Sequence, residues 1–393
     1  MAGSVILTGA RTPIGKFSGT LAGFGATELG GLAISEALRR AGLSPEQIDY
    51  VFMGQVLLAG EGQMTARQAA VHAGIPLSVP ATTVNKVCLS GVNAIHLADL
   101  YIQAGEADIV VAGGMESMSN APYLLPKARA GYRMGDGTLV DSMMYDGLFC
   151  AIDKIPMGGS AEKYAQSAGI PRAAQDEFAA ASHERAALAQ KDGLFDAEIV
   201  KVEIPQRKGD PLLFSEDEGI RAGTTAESLG ALRPAFDKAG NITAGNASQI
   251  SDGGSAVIVA SEAAAEKLGV EPLGRILGYG QVAGPDTSLL NQPANAINVA
   301  LERAGLGIGD LDLFELNEAF AAVGIASMAT LGITDEITNV NGGAIALGHP
   351  IGMSGNRIAL HLLHELKRRG GGKGAAALCG GGGQGDALIV ETL

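Results

Sequence analysis

Tryptophan is absent from the 393 residues, and aromatic side chains make up only 4% of them. With 47% hydrophobic residues, the core has to be built from aliphatic side chains. Three cysteines are an odd count and too few for a disulfide scaffold, so free thiols in a reducing cytoplasm are expected. No uninterrupted apolar run is long enough to predict a membrane span. The opening MAGSVILTGARTP enters a strand pattern at once, without the charged region, apolar region and cleavage site of a signal peptide. The closing GDALIVETL carries no receptor-read address. No His, Cys and Asp cluster has metal-ligand spacing, so neither a metal nor another cofactor is expected. Basic residues are also scarce: 28 against 42 acidic ones, for a net charge of −14. That balance argues against non-specific nucleic-acid binding. A polyanionic ligand would need a local basic patch, for which Arg207, Lys208, Arg221 and Arg233 are candidates. A solvated surface accounts for these charges equally well.

What is abundant is glycine, with 57 residues, which fits an α/β protein with many short turns. The length points to two or three domains. The chain also repeats itself. Residues 33–43 read AISEALRRAGL and residues 296–306 read AINVALERAGL, identical at eight of eleven positions at an offset of 263. Both show helical apolar spacing with a glycine stop, and a strand-like run follows each. A predicted helix over 90–104 with a strand over 107–112 has a fainter counterpart in a helix over 354–369 with a strand over 374–379. One offset shared by successive units indicates duplication of a whole domain. From about 120 to 250 the pattern changes to Met, Gly, Pro and charge with few strands, as in an insertion that builds a substrate site. The run SAVIVAS at 255–261 returns to the first domain.

The chemistry gathers at three residues. Cys88 in TTVNKVCLSG and Cys379 in AAALCGGGGQGDA each read as a buried strand ending at a thiol before a flexible turn. Cys88 also precedes a helix, where free N–H groups and the helix dipole favour a thiolate nucleophile. Most free cysteines, however, are small buried hydrophobes. His349, held between Gly348 and Pro350, could take a proton from a thiol or donate to a carbonyl oxygen, or serve as a structural histidine. The glycines after Cys379 could aim N–H groups at an oxyanion or simply make a tight turn. Asn317 could hold a water or a carbonyl oxygen, or cap a helix. Cys150 lies in the insertion and is expected to be dispensable.

The motifs VNKVCLSG, NASQISDG, NEAFA, GGAIALGHPIGMSGNR and CGGGGQGDA stand in the order and spacing of one family. Together they cover essentially the whole chain. It resembles the thiolases, most closely the short-chain acetyl-CoA acetyltransferases. The resemblance implies a duplicated α/β fold layered α-β-α-β-α, with two similar five-stranded halves and an inserted loop domain. The implied division is 1–119 with 251–270 for the N-terminal half, 120–250 for the loop domain that binds coenzyme A, and 271–393 for the C-terminal half. It further implies reversible condensation of two acetyl-CoA to acetoacetyl-CoA and CoA. In this reading Cys88 is the acylated nucleophile and His349 its activator. Asn317 holds a water of one oxyanion hole, and Cys379 is the α-proton base. The amides of Cys88 and Gly381 form the second oxyanion hole. Met157, Arg221, Ser228, Phe236, Ala244 and Ser248 line the coenzyme A tunnel, and Ala319 and Phe320 wall the acyl pocket. A homotetramer is implied as well. Alternatives within the resemblance are a broader-range 3-ketoacyl-CoA thiolase and an inactive acyl-CoA binding protein. A decarboxylating ketoacyl synthase would place a histidine or asparagine where Cys379 stands. The chain departs from the family pattern at Leu89, at Pro156 and over 152–155.

Overall fold

The computed structural model describes residues 3–393; Met1 and Ala2, part of the expected N-terminal half, lie outside it. The first half alternates strand and helix. Strand β1 (Ser4–Arg11) leads to α1 (Ala26–Ala41), β2 (Tyr50–Gly54), α2 (Thr65–His72), β3 (Ala81–Val84), α3 (Ser90–Gln103) and β4 (Ile109–Ser117). The chain then leaves the sheet. The intervening segment contains α4 (Met157–Ser167), α5 (Arg172–Lys191) and two-stranded hairpins that pair only among themselves. It returns as β5 (Ser251–Ser261), eleven buried residues inserted between β1 and β4. The second half follows with β6 (Gly274–Ala283), α6 (Gln292–Ala304), β7 (Leu313–Leu316), α7 (Ala321–Leu331), α8 (Ser354–Arg368), β8 (Lys373–Gly380) and β9 (Gln384–Thr392).

The duplication is visible in the pairing. The first half has the order β1-β5-β4-β2-β3, and the second has β6-β9-β8-β7. In both, the first two contacts are antiparallel and the next is parallel. The fifth strand of the second half is reduced to one parallel bridge, Phe314 to Thr338, where the first half has β3. Two five-stranded layers are therefore five and four strands, joined where Val5 and Ile6 of β1 meet Arg275 and Gly274 of β6. Cys379 lies within β8, but Cys88 stands four residues beyond β3, in the turn that enters α3. The strand-ending reading holds only for the second thiol.

The layers follow from which faces are apolar. Helices α1 and α2 cover the outer face of the first sheet through Ala33, Ile34 and Ala69, and α6 and α7 do the same for the second. Between the sheets lie α3 and α8, which pack on each other and on both inner faces. Leu360, Leu363 and Ile95 are fully buried there beside Val257 and Leu378. The two helices touch backbone to backbone at their first turns. A Cβ on Gly355 would stand 2.5 Å from the amide nitrogen of Val92, and one on Gly91 would stand 2.8 Å from that of Asn356. Neither glycine has a positive φ, so close approach, not backbone freedom, requires them. Among the described residues no helix is long and apolar enough to cross a membrane.

Gly355→Ala should cost roughly 1–3 kcal/mol in chemical unfolding, since the obstructing atoms are backbone. Gly230→Ala, where a Cβ meets nothing within 4 Å, should cost less than about 0.5 kcal/mol. Equal costs would mean that the helix contact is looser than described.

Candidate active site

The turn Asn85–Leu89 places Cys88. Val87, a β-branched residue, has φ +53° there, a backbone conformation that costs free energy and needs support. The support is local: Val87 N donates to Asn85 Oδ1 (3.1 Å), Lys86 N to Ser90 Oγ (2.8 Å), and Ser90 Oγ to the Val87 carbonyl (2.6 Å). Cys88 is half-buried and packs against the cluster of Leu57, Met143 and Ile351. Burial pushes its thiol up to about 12; its own amide and that of Gly381 pull the other way, while the nearby Glu116 carboxylate adds to the rise. Burial works against the depression expected from the helix start, and a thiol raised in this way rests neutral.

His349 enters from the second half. Gly348, at φ +113°, has Ser251 where a Cβ would stand, and Pro350 fixes the following backbone. The His349 amide donates to the Gln249 carbonyl (3.0 Å). Nδ1 lies 2.6 Å from Ser354 Oγ, which donates to the Pro350 carbonyl (3.0 Å). Nε2 lies 3.4 Å from Asn317 Nδ2. One assignment satisfies every donor: Nδ1–H donates to Ser354, and Asn317 donates to a bare Nε2. Burial, and then the charge of Arg357, push the imidazole down to about 4. At neutral pH it is uncharged, with a lone pair available for a proton. Asn317 follows β7 but caps no helix, since Phe320 holds that position for α7. Its Oδ1 is buried without a partner.

Cys379 is fully buried in β8 and packs in the cluster that contains Ala319 and Phe320, with Met157 at its edge. Burial, and then the charge of a Cys88 thiolate, push its thiol up, so the two sulfurs sense each other across the halves. The glycine turn after it has φ +83° at Gly382 and +75° at Gly383, which reverses the chain into β9 and leaves the Gly381 amide facing Cys88.

A cavity of about 550 Å³ has His349 in its wall. Met157, Arg221, Phe236, Ala244, Ser248 and Phe320 line it. Ala319 sits beneath the wall, its carbonyl accepting from Ser248 N (3.0 Å). Ser228 does not line it. Its side chain is exposed and committed to capping the 226–230 turn with Thr225. Of the expected basic patch, Arg221 lines the cavity, and Arg207, Lys208 and Arg233 do not. Cys150 is buried in the hairpin of residues 149–156.

Several supporting residues escaped the sequence reading. Gln249 Nε2 donates to the carbonyls of Gly219, Ile345 and Ala346 while its own carbonyl holds His349. Glu318 accepts from Ser182, Asn339 and the Ile345 amide, fixing the segment before His349. His183 is buried and accepts from the Arg221 amide. Gln249 and Glu318 fall inside quoted motifs, NASQISDG and NEAFA, which is the one signal that could have found them. Nothing in the sequence marks His183.

The family model described as thiolase, N-terminal domain, matches residues 4–263, and that described as thiolase, C-terminal domain, matches residues 270–392. The chain belongs to the thiolase family. A probable acetyl-CoA acetyltransferase of Mycolicibacterium smegmatis is 59% identical to this thiolase over 98% of the chain and 100% of its own length. The acetyl-CoA acetyltransferase of Cupriavidus necator is 55% identical over 98% of each. The crystal structure of the Bacillus anthracis acetyl-CoA acetyltransferase superposes with a TM-score of 0.97 at 42% identity, covering 100% of this chain and 99% of that one.

Because burial holds the Cys88 thiol above working pH, its alkylation by iodoacetamide should rise about tenfold per pH unit between pH 7 and 9 in this thiolase. A rate already level at pH 7 would indicate a preformed thiolate and contradict the neutral-thiol ground state.

Proposed function

We propose that the protein catalyses acetyl transfer between coenzyme A thioesters: condensation of two acetyl-CoA to acetoacetyl-CoA and CoA, and thiolysis in reverse. The observation that carries this reading is an uncharged imidazole in the cavity wall with two thiols from opposite halves packed against residues of that same wall: Cys88 with Ile351, and Cys379 with Phe320 and Met157. The Cys88 and Gly381 amides are directed at the first sulfur. The names borne by the relatives agree with it.

The steps follow from the resting protonation states. Nε2 of His349 takes the Cys88 proton as Sγ attacks the acetyl carbonyl. The thioester C–S bond breaks, and the departing CoA sulfur takes a proton from Cys379. The raised pKa of that buried thiol makes the resulting thiolate a strong base. The Cys379 thiolate then removes a methyl proton from the second acetyl-CoA, with the developing oxyanion held by hydrogen-bond donors. The carbanion attacks acetyl-Cys88, and Cys88 leaves with the proton stored on His349. Both thiols and the imidazole return to their starting states. Met157, Phe236, Ala244 and Phe320 give the cavity an apolar wall suited to a pantetheine arm, with Ser248 as a polar group among them. Arg221 is the cation in that wall for a ligand that carries phosphates.

In assembly, at least a dimer is expected, and the family resemblance extends this to a homotetramer. Among the described residues β3 has a partner on one side only, and Met64 and Leu77 are 58% and 70% exposed.

Cys379→Ser tests the division of labour. It should retain acetylation of Cys88 in part while losing exchange of the acetyl-CoA methyl protons with solvent, by roughly 10²–10⁴ in rate. Exchange at the wild-type rate would remove Cys379 from the role of base.

A further inference from the structure

The hydrogen bonds that support the left-handed backbone at Val87 are all made within Asn85–Ser90, so they shape the turn without fixing where it points. Beside the apolar packing of Val87, Cys88 and Leu89, two polar contacts tie the turn to the rest of the protein. One is the 3.3 Å bond from Asn85 Nδ2 to the Val56 carbonyl in the same half. The other crosses to the second half. Lys86 Nζ lies 2.7 Å from each carboxylate oxygen of Asp386 and 3.4 Å from Gln281 Oε1.

Asp386 is fully buried on β9, opposite Leu378 of β8 and Gln281 of β6. Its neighbour Gly385 pairs with Cys379. Tyr279 completes its shell, donating to Oδ2 at 2.5 Å; Asn93 donates to the Tyr279 hydroxyl (3.3 Å), and His96 stacks on the Tyr279 ring at 3.9 Å. Lys86 is the one cation bonded to this carboxylate among the described residues. One end of the pair is therefore two residues from the first thiol, and the other is beside the strand position that carries the second.

A buried ion pair adds little net stability over an apolar pair of the same shape; what it supplies is one geometry, because either partner alone is left unpaired in an apolar setting. We propose that Lys86 and Asp386 are positioning residues, a clamp across the two halves that sets the Cys88 turn against the strand carrying Cys379 and Gly381. The clamp rests on the reading that the two thiols act together, and it extends that reading by naming what fixes their separation.

Lys86→Met, Asp386→Asn and the double variant test it, with two readouts. In acetoacetyl-CoA thiolysis each single variant should lose about 10–100-fold in kcat with KM within about threefold, the pattern of lost alignment and not of lost binding. The double variant should be no slower than the slower single, since one tether is removed either way. The second readout needs no turnover: bridging of Cys88 to Cys379 by 1,3-dichloroacetone, followed by peptide mass. Bridging should slow by a similar factor in the variants, while single alkylation of Cys88 by iodoacetamide stays within threefold of wild type. Asp386→Asn keeps the shape of the buried group. Lys86→Gln reads the same tether from the half-exposed side and serves if the buried substitution compromises folding. Wild-type kcat and bridging within twofold in both single variants, or losses that multiply in the double, would overturn the clamp. Wild-type protein that bridges but does not turn over would instead overturn the acetyltransferase reading and leave the clamp standing.

Discussion

The close contact of α3 with α8 is the constraint on which the rest depends. Each helix buries apolar side chains against its own sheet, against the opposite sheet and against the other helix. At roughly 1.5–3 kcal/mol for each large aliphatic side chain removed from water, this shared layer is a major source of the cohesion between halves. Its geometry is set where Gly91 and Gly355 let the two first turns touch. Helix N-termini from both halves are thereby brought to one place. Cys88 immediately precedes one of them, and His349 and Ser354 surround the start of the other. The site is a consequence of how two copies of one domain share a layer.

Buried carboxylates then hold the converging loops. Glu116 accepts from the amides of Val56, Leu57 and Gly352, joining the loop after β2 to the turn that follows His349. Burial pushes it up to about 7, although those amides favour its charge. Glu318 performs the same service for the segment before His349, and burial raises it as well. Both acids lack an ion-pair partner among the described residues and are satisfied by hydrogen bonds instead. Acids arranged this way order backbone without adding a cation to the site, and the imidazole remains uncharged.

Much of this was legible in the sequence, for identifiable reasons. The repeat at 33–43 and 296–306 falls on α1 and α6, equivalent helices in halves of matching strand order. Local spacing and glycine stops encode such elements directly. Cys88, His349, Cys379 and Asn317 could be selected because each sits in a motif with unusual local chemistry. The character of Cys88 could not be read in the same way. Its position before a helix argued for a lowered pKa, whereas its pKa is raised by burial contributed by Leu57, Met143 and Ile351, which come from other segments. Ser228 is a motif position whose side chain is engaged in a local cap, which the motif alone does not reveal. Lys86 and Asp386, 300 residues apart, are ordinary surface charges until the fold joins them. The fifth strand of the second half shrinks to a bridge at Thr338, a change without a composition signal.

The central claim is that one half supplies the covalent carrier and the other the groups that act on it. The most direct measurement is the site of acyl attachment. The protein is incubated with acetyl-CoA, quenched in acid and mapped by peptide mass. The account predicts a single acetyl group, on Cys88, present in the wild type and at least partly in Cys379→Ser. An acetyl group confined to Cys379 or Cys150, or undiminished labelling after Cys88→Ala, would contradict it.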